Sequence, residues 1–415
     1  MNPIRRTYRG LLLTLTMSLV VGCSTGGRES FVPPDLPSAV RAAYVSNAPV
    51  DTRIVDANTK FAFDLYQSLY PTEGTKNLFL CPTSVSLALQ IAYNGAQADT
   101  KTAMDTTLRL NGLSITDVNS MNAALQASLI SRTGAVELDI ANGLWFRSDA
   151  VQPSFVQVNT DYYGSQLGDM SLIPQSANDW VTKKTNGKIT SILPDQDYSA
   201  TIAVIVNAVY FKGTWTSKFD PTNTVDAPFT RTDGTVKSVK MMHQVTDFDY
   251  YKGTHFRAVN LPYGSDKRLR TTIVLPDEGT SLGAILPSLT PENWKSWQTQ
   301  FHVAKVTLDL PRFKTDYSIA LKDTLSNMGM GIAFDASGKA NFDGIAKNAY
   351  LQFVQHKTFL EVNEEGTQAG GATSIGIGVT SVPEPQEMKV NRPFFCVIQD
   401  SVSGAILFMG SIVNP

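Results

Sequence analysis

Residues 356–380 have the sequence HKTFLEVNEEGTQAGGATSIGIGVT, and the pattern changes along this stretch. Residues 358–362 form a β-branched and aromatic run that predicts a buried strand. From Thr367 to Thr380 the residues alternate, and one face becomes more apolar along the chain. That face carries Thr367, Ala369, Gly371, Thr373, Ile375, Ile377 and Val379. Strict alternation predicts a strand with one buried face.

Five glycines between Gly366 and Gly378 make this segment a weak strand on its own, because glycine loses the most backbone freedom on ordering. The segment is therefore compatible with both a loop and a strand. Pro383 and Pro385 cannot donate ladder hydrogen bonds, so a strand has to end before them. A flexible, glycine-rich surface loop is the alternative interpretation.

Outside this stretch, helical signals come early in the chain and strand signals come late. Apolar spacing predicts helices over residues 54–70 and 82–98. Runs of β-branched and aromatic residues predict strands over residues 203–211, 270–276, 304–311, 358–362 and 394–398. Residues 54–415 contain no composition break and no internal repeat. We therefore expect a single α+β domain with large sheets.

The composition is that of a folded globular protein. The 415 residues are 42% hydrophobic and 17% charged, which is sufficient for an extensive core. Lys and Arg number 35 and Asp and Glu number 37, a balance that disfavours nucleic-acid binding. The three cysteines and four histidines lack metal-binding spacing, so we expect no metal and no cofactor.

Residues 1–22 have the pattern of a cleaved signal peptide. Three arginines precede an apolar run, residues 11–21, that is too short to span a bilayer. The run ends in LVVGC, residues 19–23, which resembles the lipobox of bacterial lipoproteins. We therefore expect lipidation of Cys23 and anchoring to the bacterial cell envelope, at the outer membrane or the cell surface. An ordinary signal peptide with a chance cysteine is the alternative.

Residues 24–53 contain several prolines and glycines and no sustained periodicity. This composition predicts that residues 23–53 consist of the lipidated Cys23 and a flexible tether. The tether would hold the body, residues 54–415, away from the membrane surface.

Several further motifs occur in order along the chain. They are NLFLCPTSVS (77–86), VNAVYFKGTW (206–215) followed by FDP (219–221), HKTFLEVNEEGT (356–367), and RPFF (392–395) with GAILFMG (404–410) and VNP (413–415). Together these motifs resemble the serpin family, and the resemblance extends from about residue 54 to Pro415.

The resemblance implies the serpin fold, with a large, mainly antiparallel central sheet, further sheets, helices and an exposed reactive-centre loop at about residues 364–390. It also implies that the protein is a monomer and not an enzyme. A serpin is a suicide inhibitor: a protease attacks the loop and becomes esterified to the residue before the cut. The loop then inserts into the central sheet as a new strand.

The resemblance assigns a hinge to the start of the loop. The residues that match an inhibitory hinge, or are small enough to enter the sheet, are Glu364, Gly366, Thr367, Ala369, Ala372 and Thr373. Gly370 and Gly371 stand where inhibitors usually carry alanine. Because glycine is more flexible, we expect slower insertion and an appreciable fraction of plain substrate cleavage.

Two counts place the reactive bond. Counting forward from Glu364 gives the bond Thr380–Ser381, and counting back from Pro393 points to Val382. The window is therefore Val379 to Val382.

The residues around this window indicate the target class. No lysine or arginine occurs in residues 358–388, and no aromatic residue occurs in residues 360–393. Small β-branched side chains suit shallow apolar pockets. We therefore expect elastase-like or subtilisin-like serine proteases as partners, with papain-like cysteine proteases as a second class.

The resemblance also assigns supporting residues beneath and above the strands that have to separate. Ser84, Asn207 and His356 match a polar cluster at the gate. Arg312 matches the basic partner of the hinge carboxylate, Glu364, and Trp215 should pack nearby.

Cys81 stands where serpins usually have serine, so a weak thiol replaces a hydroxyl hydrogen-bond partner. Export would allow Cys81 to pair with Cys396, although both lie in predicted core strands. A disulfide and two free thiols therefore both stay open.

Two other functional classes are alternatives to inhibition. A non-inhibitory serpin would act as a surface binding or structural lipoprotein. A surface hydrolase is disfavoured because the sequence has no GxSxG motif.

Overall fold

The computed structural model describes residues 36–130, 136–147, 149–367 and 384–415, and the described residues belong to one compact unit. Their α-helices are α1 Ser38–Ser46, α2 Thr52–Glu73, α3 Pro82–Tyr93, α4 Ala98–Thr107, α5 Ile115–Leu129, α6 Pro153–Tyr163, α7 Gln175–Lys184, α8 Leu282–Ile285, α9 Pro291–Gln298 and α10 Lys322–Leu325. Shorter helical segments are the 3-10 turns Met170–Leu172, Pro221–Asn223, Leu286–Ser288 and Gly331–Phe334 and the π turn Ser326–Met330.

The described strands are β1 Leu78–Leu80, β2 Val136–Phe146, β3 Gln166–Asp169, β4 Ala203–Thr214, β5 Val225–Thr230, β6 Val236–Gly253, β7 Phe256–Pro262, β8 Leu269–Pro276, β9 His302–Pro311, β10 Phe313–Ala320, β11 Gln355–Val362, β12 Gly366–Thr367, β13 Gln386–Lys389, β14 Phe394–Asp400 and β15 Ile406–Ile412. Each of the five predicted strands coincides with one of them, namely β4, β8, β9, β11 and β14.

Both predicted helices form, and local signals explain their ends. The side chain of Asp51 caps α2 by accepting a hydrogen bond from the Arg53 backbone N–H (2.9 Å). Pro82 occupies the first turn of α3, where its missing N–H costs nothing. Helix α3 ends at Tyr93 instead of reaching residue 98, because the chain turns at residues 94–97 before α4 begins.

Helix α1 corrects the prediction of a flexible tether through Arg53. Residues 38–46 are helical and pack against α5 and α6. Val40 and Tyr44 are buried, and Ser38 Oγ donates a hydrogen bond to Asp161 of α6 (2.9 Å). The sequence did not predict this helix, because it is only nine residues long, has just two buried apolar side chains and is flanked by prolines.

The strands of the described residues form three sheets. The largest has nine strands in the order β1-β15-β14-β8-β7-β6-β9-β13, with β5 paired to β6. All of its pairs are antiparallel except β13 with β9. A four-stranded sheet has the order β12-β4-β2-β3, and a two-stranded sheet joins β10 to β11. The α+β class with one large, mainly antiparallel sheet and smaller sheets is confirmed.

Two apolar cores position the smaller sheets. The main core fills the space between α2, α3 and the central strands β14 and β15, whose residues are all buried. A second core lies on the outer face of the four-stranded sheet, where α7 covers β2 and β4. Strand β4 therefore has the main core on one face and α7 on the other.

Candidate functional site

Strands β4 and β11 lie side by side, in the same direction, at the boundary between the two smaller sheets. At one end, two backbone hydrogen bonds connect them: Trp215 N donates to Glu365 O (2.9 Å) and Phe219 N donates to Glu364 O (3.0 Å). Below this end, among the residues that the structure describes, no ladder joins the facing edges. This strand gap, between residues 203–212 of β4 and 355–362 of β11, therefore offers two edges to another strand.

The chain enters the strand gap through a tight turn after β11. Asn363 and Gly366 exchange backbone hydrogen bonds of 2.9 and 3.2 Å. Gly366 and Thr367 then pair antiparallel with Thr214 and Gly213 of β4. Gly366 has φ +140°, and an added Cβ would lie 2.1 Å from the carbonyl oxygen of Gly213. Only glycine fits this close approach, which explains physically why the hinge carries one here.

Two ion pairs hold this turn in place. Glu364 is 5% exposed and accepts hydrogen bonds from Arg312 Nε (2.6 Å) and Thr224 Oγ1 (2.5 Å). Burial acts to raise the pKa of Glu364, but the hydrogen bonds from Arg312 and Thr224 outweigh it and lower the pKa overall. The neighbouring Glu365 pairs with Lys218 at 2.8 Å. The ion pair between Arg312 and Glu364 that the resemblance implies is present.

Trp215 closes the same end of the strand gap. Its indole Nε1 donates to the carbonyl of Asn363 (3.0 Å), and its ring stacks on Tyr263 with centroids 4.4 Å apart. The tryptophan thus lies beside the residues assigned to the hinge, as the resemblance implies.

The three predicted gate residues, Ser84, Asn207 and His356, line one cavity of about 110 Å³ at the other end of the strand gap. The cavity lies between β4, helix α3 and the segment that leads into β11. The apolar part of its lining includes Leu89, Ala92, Phe155, Phe342 and Ile345. The structure therefore brings the three residues together around an apolar space.

His356 and Asn207, however, form hydrogen bonds with other residues and not with each other. His356 Nε2 accepts from the backbone N–H of Cys81 (3.0 Å), which places the ring proton on Nδ1. Burial lowers the pKa of His356 to about 4, so the ring is neutral at pH 7. Burial raises the pKa of the Cys81 thiol to about 12, although the backbone and hydroxyl of the nearby Ser84 act to lower it.

Asn207 makes its contact within the four-stranded sheet. Its Nδ2 donates to Asn142 Oδ1 of β2 (2.6 Å), while its Oδ1 is buried without a partner. Asn142 in turn donates to the carbonyl of Tyr163 (2.7 Å). Sequence reasoning missed Asn142. Residues 136–146 (VELDIANGLWF) contain Glu137 and Asp139 as well, so no signal in the sequence singled Asn142 out.

Cys81 and Cys396 are free thiols. Cys396 pairs with Gly410, which pairs with Phe79 on the next strand. Two strand spacings, about 10 Å, thus separate Cys396 from Phe79, close to Cys81, whereas a disulfide needs Cα atoms about 4.4–6.8 Å apart. The disulfide hypothesis is therefore wrong.

Several predicted site residues lie outside the described residues. They are Cys23, the hinge residues Ala369, Gly370, Gly371, Ala372 and Thr373, and the bond window Val379, Thr380, Ser381 and Val382. Their assignments stay predictions. Within the described ranges, no group of three or more His, Cys, Asp or Glu side chains could hold a metal ion. No helix in the same ranges has the length and apolarity needed to cross a membrane.

Comparison with known proteins gives the family. The sequence profile described as "Serpin (serine protease inhibitor)" matches residues 56–415. The chain belongs to the serpin family. A curated serpin, leukocyte elastase inhibitor of Xenopus tropicalis, is 34% identical over 376 residues, which cover 86% of this chain and 98% of the relative.

Solved serpin structures share the fold. The thermophilic serpin tengpin in its native state superposes with a TM-score of 0.80 at 28% identity, covering 88% of this chain and 95% of tengpin. Human thyroxine-binding globulin complexed with thyroxine gives 0.78 at 27% identity, covering 88% and 100% of the two chains. The strand gap therefore lies within a serpin fold.

Proposed function

We propose that this serpin is an irreversible suicide inhibitor of serine proteases. The observation that carries the proposal is the strand gap, whose first rung is already formed by Gly366 and Thr367 on β4. Gly366 and Thr367 already pair with β4 at one end of the strand gap. The residues that follow them can therefore continue along β4 as a strand after the loop is cut.

The first rung fixes the register of the proposed insertion. Because Thr367 pairs with Gly213, an uninterrupted antiparallel ladder places Thr373 opposite Asn207 and Ile375 opposite Ile205. Ile377 then lies opposite residue 203. Directly opposite residues share a face of the sheet, so the apolar alternation of the loop meets the face of β4 that lines the cavity.

The cavity provides the driving force at that end of the strand gap. Asn207 and residues 203–205 line it together with apolar side chains of α3 and the segment before β11. Burial of Ile375 and Ile377 there contributes about 1.5–3 kcal/mol each. A buried partner also becomes available for Asn207 Oδ1, since Thr373 carries a hydroxyl.

The chemistry begins with an ordinary acylation. The serine Oγ of the protease attacks the carbonyl carbon of Thr380, the bond to the nitrogen of Ser381 breaks, and that nitrogen leaves as an amine carrying the proton. Insertion of residues 368–380 then carries the ester-linked protease along the body before water can hydrolyse the ester. Glycine loses more backbone freedom on ordering than alanine does, so we expect Gly370 and Gly371 to slow this step and part of the protein to be cleaved as substrate.

The proposed targets are proteases with small apolar specificity pockets, elastase-like or subtilisin-like, with papain-like cysteine proteases as a second class. The window Val379 to Val382 offers them small side chains, and the 34% identical relative is named for inhibition of leukocyte elastase. Incubation with pancreatic elastase or subtilisin should give a covalent band that survives SDS and has the summed mass minus the released fragment. The absence of such a band with both enzymes would contradict the proposal.

We also propose that Cys23 is lipidated and anchors the exported protein to a bacterial envelope, at the outer membrane or cell surface. The support is the lipobox-like sequence LVVGC at residues 19–23. The protein should partition with membranes, and Cys23→Ala should move it to the soluble fraction. A Cys23→Ala protein that stays membrane-bound would contradict this proposal.

A non-inhibitory binding serpin is the second candidate. It is favoured by the similarity to thyroxine-binding globulin, a serpin solved with thyroxine bound. The covalent band with elastase or subtilisin separates the two candidates.

A further inference from the structure

The outer core of the four-stranded sheet extends across the strand gap. Ala177 and Val181 of α7 pack there with Val204 and Val206 of β4, so α7 is attached to the β4 side. Phe359 of β11 packs against the same core from the opposite side of the strand gap.

A lysine that follows α7 reaches this phenylalanine. Lys188 Nζ lies 5.2 Å from the centroid of the Phe359 ring, within the range of a cation–π interaction. Both side chains are half-buried. Glu361 of β11 lines the same small cavity as Lys188 and Phe359, which adds a carboxylate on the β11 side.

The turn that carries Lys188 is fixed to the α7 side. Lys188 N donates to Thr185 O (2.9 Å), and Ile189 N donates to Thr185 Oγ1 (3.0 Å). Thr185 and Ile189 are both buried. The backbone that carries Lys188 is therefore anchored to α7 on the β4 side of the strand gap.

A second lysine contacts the same ring without crossing the strand gap. Lys314 Nζ lies 5.3 Å from the centroid of Phe359. Lys314 is on β10, where it lies opposite Glu361, two residues along β11 from Phe359. Because β10 and β11 form one sheet, this contact moves with Phe359.

Insertion of a strand should affect the contacts of Lys188 and Lys314 with Phe359 differently. An inserted strand needs about 4.8 Å to each neighbour, which places β4 and β11 about 10 Å apart. Cα atoms of the two strands lie within 8 Å of each other, so insertion has to move β11 away from β4. The contact of Lys188 with Phe359 is already near the cation–π limit of about 6 Å, and it is broken by such a movement. The contact of Lys314 survives it.

We propose that Lys188 and Phe359 form a clasp across the strand gap that holds the uninserted form and slows insertion. The clasp is a positioning contact, and it sets the ratio between trapped protease and cleaved inhibitor. This inference rests on the proposed function and names a residue pair that regulates it.

The test compares Lys188→Met with Lys314→Met, both of which keep an apolar stem and remove one ammonium from Phe359. With pancreatic elastase, Lys188→Met should raise the ratio of covalent complex to cleaved protein by about two- to five-fold. Lys314→Met should leave the ratio unchanged, and Lys188→Arg, which keeps the cation, should behave like the parent. Equal shifts in the two methionine variants, or none in either, would overturn the clasp.

A second measurement tests the clasp without a protease. A synthetic peptide with the sequence of residues 368–380 is mixed with each variant, and its incorporation is followed by native gel electrophoresis. Incorporation should be about two- to five-fold faster in Lys188→Met than in the parent and in Lys314→Met. If the parent forms no covalent complex, the proposed inhibition fails, whereas equal incorporation rates among the variants refute the clasp itself.

Discussion

His356 shows how one buried side chain makes the gate sensitive to pH. Its Nε2 accepts the backbone N–H of Cys81, and this bond requires a neutral ring. The pKa is lowered from 6.5 to about 4 by burial. Between these two values the folded state binds fewer protons than the unfolded state, so stability falls as the pH falls.

We predict that the free energy of unfolding decreases by about 2 kcal/mol from this group alone between pH 7 and pH 5. His356→Gln removes the titration and keeps an acceptor for Cys81, so its stability should depend less on pH by about that amount. Urea denaturation at both pH values measures the difference. Parallel pH profiles for parent and variant would show that His356 does not titrate in this way.

For single residues, the sequence predicted some side-chain contacts and missed others, and the difference has a physical reason. Arg312 and Glu364 were paired correctly because both stand in recognisable motifs. The contacts of Asn207 with Asn142 and of Cys81 with Ser84 were not predicted. A buried polar side chain takes whichever partner the packing brings near, and Asn142 is 65 residues away in the chain.

At the scale of helices and strands, α1 shows which kind of element the sequence did not predict. The long elements, such as α2 and β4, have repeated apolar positions and were predicted almost to their ends. Helix α1 buries only Val40 and Tyr44, and its stability comes from packing on α5 and α6. The missing ladder between β4 and β11 was also not predictable, because each strand has the same alternation whether or not it has a neighbour.

Tyr44 should therefore control whether α1 stays docked. Tyr44→Ala removes a buried ring, and we expect it to weaken the docking of α1 by roughly 2 kcal/mol. Amide hydrogen exchange in residues 38–46 should then be about 30-fold faster. Val45 is 66% exposed in the same helix, so Val45→Ala is the matched control and should leave exchange nearly unchanged. Equal exchange in both variants would contradict the packing role of Tyr44.

The register of the proposed strand can be tested with two neighbouring arginines. Continued from the first rung, Ala369 lies opposite Phe211, on the core side, and Gln368 lies opposite Lys212, which is part-exposed and paired with Glu137. Ala369→Arg has to bury an unpaired guanidinium, at a cost of several kcal/mol. Even about 2.8 kcal/mol slows insertion about a hundredfold, so the variant should be cleaved by elastase without forming the covalent complex.

Gln368→Arg is the control for this prediction. Its side chain faces outward in the same register, beside the partly exposed Lys212. Solvent and salt screen the two cations there, so this variant should form the complex nearly as well as the parent. Equal yields of covalent complex from the two variants would mean that the register is shifted or that no strand is inserted.

On the scale of the whole molecule, the strand gap separates the four-stranded sheet from the two-stranded sheet, and one added strand would join them. The facing edges of β4 and β11, the cavity at one end and the buried, unpartnered Asn207 Oδ1 all represent interactions that one added strand would complete. The ion pairs of Glu364 and Glu365 hold the mouth of the strand gap in the uninserted arrangement. The intact protein is thus expected to be less stable than the same chain after its loop is cut.

Cleavage between Val379 and Val382 by a protease that is not trapped should therefore raise the thermal unfolding midpoint. Burial of Ile375, Ile377 and Val379 contributes roughly 5–9 kcal/mol, and about 2.1 cal/mol/K of unfolding entropy per residue converts this, for about 380 residues, to a rise of at least about 5 °C. Calorimetry of intact and cleaved protein measures the rise, and mass spectrometry of the released fragment locates the cut. Ala369→Arg, cut at the same bond, cannot complete the strand and should not gain stability. If the cleaved parent melts at or below the intact protein, the loop does not enter the strand gap, and inhibition by insertion is excluded for this chain.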